Sequence, residues 1–125
     1  MMEQRPLVCV VDDDESVRES LPDLLHEFGF AVETFASAED FLASGRVADC
    51  RCLILDIAMP GMSGPDLQRE LAQRRYRVPI VFITAHADKS LFPRLIEQGA
   101  TACLLKPFSD TALRESLDTA LAAGA

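Results

Sequence analysis

Apolar and polar positions along the chain fall into two alternating patterns. Short, nearly unbroken apolar runs alternate with longer stretches in which apolar residues return every third or fourth position. The short runs are Val8-Cys9-Val10-Val11, Cys52-Leu53-Ile54-Leu55, Ile80-Val81-Phe82-Ile83 and Ala102-Cys103-Leu104-Leu105. A half-polar run, Ala31-Val32-Glu33-Thr34-Phe35, lies between the first two. Each reads as a strand, at 7–11, 31–35, 52–55, 80–83 and 102–105. Between them, Val17, Leu21, Leu24, Leu25 and Phe28 form one stripe, which predicts a helix over 14–28 ended by Gly29. Pro22 lies inside that stripe and predicts a kink or one loosened turn. Ser37 is placed to cap a second helix bearing Phe41 and Leu42, and 45–51 reads as loop. Pro65 suits the first turn of a third helix with Leu67 and Leu71. A fourth is predicted over 91–98, delayed by Pro93 in its first turn and ended at Gly99. Ser109 caps the last, whose Leu113, Leu117 and Leu121 recur every four residues.

Regular strand–helix alternation predicts an α/β fold with a parallel sheet covered by helices on both faces. Right-handed crossovers leave few ways to order five strands. The favoured one is a doubly wound sheet of order 2-1-3-4-5, built as a single domain over 1–125. Strands one and three are then neighbours at the point where the winding reverses, the edge where open sheets of this kind bind ligands. Four of the runs end there in polar residues: Asp12-Asp13-Asp14, Asp56, Thr84 and Lys106-Pro107. Asp12, Asp13 and Asp56 should converge, with Thr84 and Lys106 flanking them.

Composition narrows the class. A hydrophobic content of 49% over 125 residues is ample for one core. No apolar stretch approaches the roughly 20 residues a membrane helix needs, and the polar segment from Met1 to Pro6 lacks a signal-peptide apolar region. A cytoplasmic domain without membrane contact is expected. The net charge of −8 argues against direct nucleic-acid binding by this domain. Cys9, Cys50, Cys52 and Cys103 lack the spacing of a zinc site and read as reduced thiols.

Asp56 is the most informative residue. It closes a buried run and opens the loop Asp56-Ile57-Ala58-Met59-Pro60-Gly61-Met62-Ser63-Gly64. Two carboxylates about 4 Å apart at an effective dielectric near 20 repel by roughly 4 kcal/mol, so three in one crevice call for proton uptake or a cation. With only hard oxygen donors at hand, magnesium is the natural ion. Lys106 adds positive charge from the other side. An aspartate in such surroundings is a competent phosphoryl acceptor, and the Thr84 hydroxyl is placed to donate to a phosphoryl oxygen. Taken singly, each residue has a plainer role. Asp14 reads as a helix cap, Met59 and Met62 as loop packing, and His86 as a rim residue. The conjunction at successive strand ends favours chemistry.

These motifs, Val10-Val11-Asp12-Asp13-Asp14, the Asp56–Gly64 loop, Thr84-Ala85 and Lys106-Pro107-Phe108, resemble the receiver domains of bacterial two-component response regulators. The resemblance runs from about Leu7 to Leu121. Gly29-Phe30-Ala31-Val32 and Ser37-Ala38-Glu39-Asp40-Phe41-Leu42 look most like the branch with helix-turn-helix output domains. The resemblance implies a signalling switch that catalyses only its own phosphorylation and dephosphorylation. Asp56 is then the phosphoacceptor, and Asp12, Asp13, Asp56 and the Ala58 backbone carbonyl hold magnesium. Thr84 and Lys106 stabilise the phosphoryl group, and Lys106-Pro107 is a commonly cis bond. The implied partners are a sensor histidine kinase or phosphotransfer protein and, on phosphorylation, a second copy through the fourth helix, fifth strand and fifth helix. Family members usually carry Tyr or Phe three residues before the lysine, and here Cys103 stands at that switch position.

Two other readings compete. A magnesium-dependent phosphohydrolase of the haloacid-dehalogenase type would use the acids after the first strand. It leaves Asp56 and its loop unexplained, and no stretch of the chain supplies a cap domain. A receiver fold used only for protein binding has no need of the full set of acids, threonine and lysine.

Overall fold

The computed structural model describes residues 5–85 and 90–123. Within them β1 (Leu7–Val11), α1 (Glu15–Glu27), β2 (Ala31–Phe35), α2 (Ala38–Ala43), β3 (Cys52–Asp56), α3 (Gly64–Gln73), β4 (Ile80–Thr84), α4 (Phe92–Glu97), β5 (Ala102–Leu105) and α5 (Asp110–Ala123) follow one another. All pairings are parallel, and the strand order is β2-β1-β3-β4-β5, as expected. His86 lies outside the described residues.

The two-residue period of a strand sorts the core into two layers. Leu7, Cys9 and Val11 of β1, Leu53 and Leu55 of β3 and Phe82 of β4 face α2, α3 and α4, where they meet Phe41, Leu67, Leu71 and Leu95. Val8 and Val10, Ile54, and Val81 and Ile83 face the other way, onto Leu21 and Leu25 of α1 and Leu113 and Leu117 of α5. β1, β3 and β4 are therefore buried on both faces, which is why their sequences are continuous apolar runs. The edge strands β2 and β5 are only partly buried.

Local chemistry sets the helix ends. The Asp14 carboxylate accepts from Ser16 N, the Ser37 hydroxyl from Asp40 N and the Ser109 hydroxyl from Ala112 N. α1 runs unbroken through Pro22, although proline removes the donor that would meet the Arg18 carbonyl. Burial of Leu21 and Leu25 on either side of it holds the helix on the sheet. Pro93 occupies the first turn of α4, where the missing N–H has no helical partner to lose, and the helix begins at Phe92. A short 3₁₀ turn at Val47–Asp49 lies within the stretch read as loop.

One polar group sits badly. Gln68 on α3 is 6% exposed and donates from Nε2 to the Leu95 carbonyl of α4 over a long 3.4 Å. Its Oε1 is buried without a partner. The Leu95 carbonyl already accepts from Ala100 N at 3.0 Å, so removing the amide orphans nothing. Gln68→Met, close in volume, should raise stability by about 1 kcal/mol by deleting an unsatisfied acceptor. Urea unfolding of the two proteins checks this, and a loss of stability would show that the α3–α4 contact outweighs the orphaned oxygen.

Candidate functional site

Strand registers bring the polar ends of β1, β3, β4 and β5 to one edge. Val11 pairs with Leu55, Asp56 with Ile83 and Thr84 with Leu105. Asp56 is the last residue of its strand, and Ile57 N donates to the Ile83 carbonyl at 3.1 Å, which fixes where the following loop departs. The loop returns into α3 by a close approach. A Cβ on Gly64 would stand 2.3 Å from the Asp56 carbonyl oxygen, so only glycine fits there. Ser63 and Asp66 form a reciprocal capping box at this entry. On the neighbouring strand, Asp12 N donates to the Phe35 carbonyl at 3.1 Å, and Asp14 N donates to Asp12 Oδ1 at 2.9 Å. Arg18, one turn into α1, donates to the Asp12 carbonyl at 2.9 Å. Thr84 is buried at the end of β4, and its carbonyl accepts from Lys106 N at 2.8 Å. The Lys106–Pro107 bond is cis.

The side chains then meet. Carboxylate oxygens of Asp12, Asp13 and Asp56 lie within 4.8 Å of one another. Asp12 is fully buried, Asp56 is 6% exposed, and Asp13 faces solvent. Lys106 Nζ reaches Asp12 Oδ2 at 2.8 Å. Burial, above all, pushes the Asp56 carboxyl up to about 7, with the charge of Asp12 adding to the rise, Lys106 opposing it and Asp13 contributing further. The donor set suits a hard divalent cation. All three groups are carboxylates, the crowding of charge is what a cation relieves, and the exposed Asp13 leaves one side open to water. Ala58 is exposed in the same loop. Cys103 pairs in register with Phe82, packs against the core layer under α2, α3 and α4, and its thiol is pushed up to about 11 by burial.

With this geometry, the chain matches the response regulator receiver domain family over residues 8–118, and it belongs to that family. It is 40% identical over 121 residues to the response regulator protein TmoT of Ectopseudomonas mendocina, covering 97% of this chain and 55% of TmoT. Nodulation protein W of Bradyrhizobium diazoefficiens is 42% identical over 119 residues, 95% of this chain and 51% of that protein. Among solved structures, the response regulator StyR superposes with a TM-score of 0.89 at 47% identity, over 96% of this chain and 61% of StyR. The FixJ-N crystal structure superposes with a TM-score of 0.83 at 38% identity, over 98% of this chain and 96% of that one. The chain thus spans about half the length of the curated relatives it matches.

Asp12, Asp13, Asp56 and Lys106 meet at this edge and Thr84 is buried at the end of the adjoining strand, while three of the plainer readings also find their places. Asp14 caps α1, Met59 is buried in the core layer beneath α2 and α3, and Met62 packs against it. Sequence reasoning missed the Ser63–Asp66 capping box, although its Ser-x-x-Asp spacing announces it. It also missed Arg18 on the Asp12 carbonyl, for which no local signal exists.

The raised Asp56 pKa has a stability consequence. An unfolded chain gives up this proton near 3.8, whereas the folded one holds it to about 7. Between those values the folded state binds more protons, so its stability falls as pH rises and the full cost is present above pH 7. In the presence of a chelator, Asp56→Asn should stabilise the protein at pH 8 by about 1–3 kcal/mol, with the gain fading toward pH 4. Thermal unfolding across that range measures it. A gain independent of pH would mean that something other than this proton is responsible.

Proposed function

We propose that this domain, 1–125, is a phosphorylation-dependent signalling switch that takes a phosphoryl group onto Asp56. The observation that carries the reading is the meeting of three carboxylates and one lysine at a single sheet edge. Asp12, Asp13, Asp56 and the Ala58 carbonyl would hold a magnesium ion, which when bound neutralises charge on the acids and the incoming phosphoryl group. Asp56 attacks phosphorus with a carboxylate oxygen, and the bond from phosphorus to the donor's imidazole nitrogen breaks. The electron pair and a proton stay with the departing imidazole. Lys106 is placed to move from Asp12 toward the new negative charge, and the Thr84 hydroxyl to donate to it. The domain is no conventional enzyme, since its only catalysed reactions are its own phosphorylation and dephosphorylation. The donor would be a phosphohistidine on a sensor kinase or phosphotransfer protein in the cytoplasm. Relatives named as response regulators, TmoT and TodT, are about twice as long, which fits a receiver joined to an output domain of the helix-turn-helix kind. With a net charge of −8, the receiver itself would not grip nucleic acid.

Acetyl phosphate with magnesium, borohydride trapping and peptide mapping tests the acceptor. The label should fall on Asp56 and vanish in Asp56→Asn. A label on Asp12 would favour the phosphohydrolase reading, and none at all a purely binding domain. Lys106→Ala should slow labelling, because the phosphoryl charge of roughly −1.5 to −2 loses a partner. That variant should also be less stable without magnesium, because it leaves buried Asp12 uncompensated.

Cys103 bears on the output. Phosphorylation should promote a homodimer through α4, β5 and α5, where Leu91 and Ile96 are each 44% exposed. A cysteine offers less packing to exchange between two states than an aromatic ring, so the states should lie closer in free energy. Cys103→Tyr should change the beryllofluoride-dependent gain in mass seen by light scattering and leave Asp56 labelling intact. If dimerisation is unaltered, Cys103 is a packing residue only.

A further inference from the structure

The segment Ala58–Met62 carries the backbone carbonyl assigned to the metal, yet it spans two fixed points with little of its own to hold it. At one end Ile57 N is tied to the Ile83 carbonyl, and at the other Gly64 N donates to the Ile57 carbonyl at 2.9 Å. Met59 anchors the middle by burying its side chain. Among the described residues, the one hydrogen bond reaching positions 58–62 from another element comes from α2. There Glu39 Oε2 accepts from Met62 N at 3.2 Å, across 23 residues of sequence. The same oxygen packs against Gly61. A Cβ added there would lie 2.8 Å from it, and Gly61 has φ +74°. The bare glycine thus lets the carboxylate come down on the loop backbone.

We propose that Glu39 is a positioning residue for the metal site: by accepting from Met62 N it sets the course of the 58–62 loop and so the aim of the Ala58 carbonyl. The inference rests on the assignment of Asp56 as phosphoacceptor and of Ala58 as a ligand. What the loop needs from Glu39 is an acceptor oxygen rather than a charge, because the partner is a neutral backbone N–H. A glutamine supplies the same oxygen at the same reach. An alanine leaves the N–H to water and the loop free to settle elsewhere.

The test compares wild type, Glu39→Gln and Glu39→Ala in magnesium titrations followed by calorimetry and in Asp56 labelling by acetyl phosphate. Glu39→Ala should bind magnesium more weakly, on the order of fivefold for one lost hydrogen bond, and label more slowly. Glu39→Gln should match wild type in both. Glu39 is exposed, so both variants should fold, and their melting in chelator controls for stability. Equal weakening in both variants would overturn the proposal in favour of a charge effect, and wild-type behaviour in Glu39→Ala would overturn it outright. Wild type that neither binds magnesium nor labels on Asp56 would sink the underlying site assignment instead, an outcome separate from either.

Discussion

Mutual repulsion of carboxylates at a dry sheet edge is the constraint around which this domain is arranged. Asp12 is fully buried and Asp56 nearly so, in a place where neither can keep its charge in bulk water. The Lys106–Asp12 pair, 2.8 Å long, offsets part of the repulsion. It holds Asp12 with its amine on one oxygen while Asp14 N holds the other. No cationic side chain pairs with Asp56 in this way among the described residues, and its carboxyl rises to about 7 because burial and the neighbouring acid outweigh the lysine. The crevice is therefore under-neutralised by the protein alone, which is the condition for a strong response to added charge of either sign.

Such an edge persists because the rest of the fold over-determines it. Three central strands buried on both faces lock the registers that bring the polar ends of β1, β3 and β4 to one edge. A slip of one residue would turn each core side chain to the opposite layer. Gly64, in contact with the Asp56 carbonyl, closes the loop onto α3 so tightly that the acid and the helix entry form one unit. The charged site is local, whereas its support is spread through both core layers.

The opposite side of the sheet edge is looser. β5 is a partly buried edge strand, α4 has only six residues, and Gln68 joins α3 to α4 with one long hydrogen bond and one orphaned oxygen. Elements with few buried contacts and imperfect polar satisfaction lie at the low end of local stability. A charge arriving at the rigid edge would therefore find its most deformable neighbours in α4 and β5. That gives the proposed switch a direction within the molecule.

The strand runs, their order and the polar residues that end them were legible along the chain. Both-face burial demands continuous apolar runs, and a strand's length leaves little doubt about which residue stands at its tip. Asp14, Ser37 and Ser109 were legible as caps because a cap bonds within three residues of itself. The course of α1 past Pro22 was not legible, since proline's local cost is overruled by burial of Leu21 and Leu25. Tertiary structure alone decided the contacts between residues distant in the chain: Lys106 on Asp12 rather than on Asp56, Arg18 on the Asp12 carbonyl, and Glu39 on Met62 N. A side chain's periodicity says which way it faces. Which partner it meets depends on how two elements are set against each other in space, and no local pattern encodes that distance.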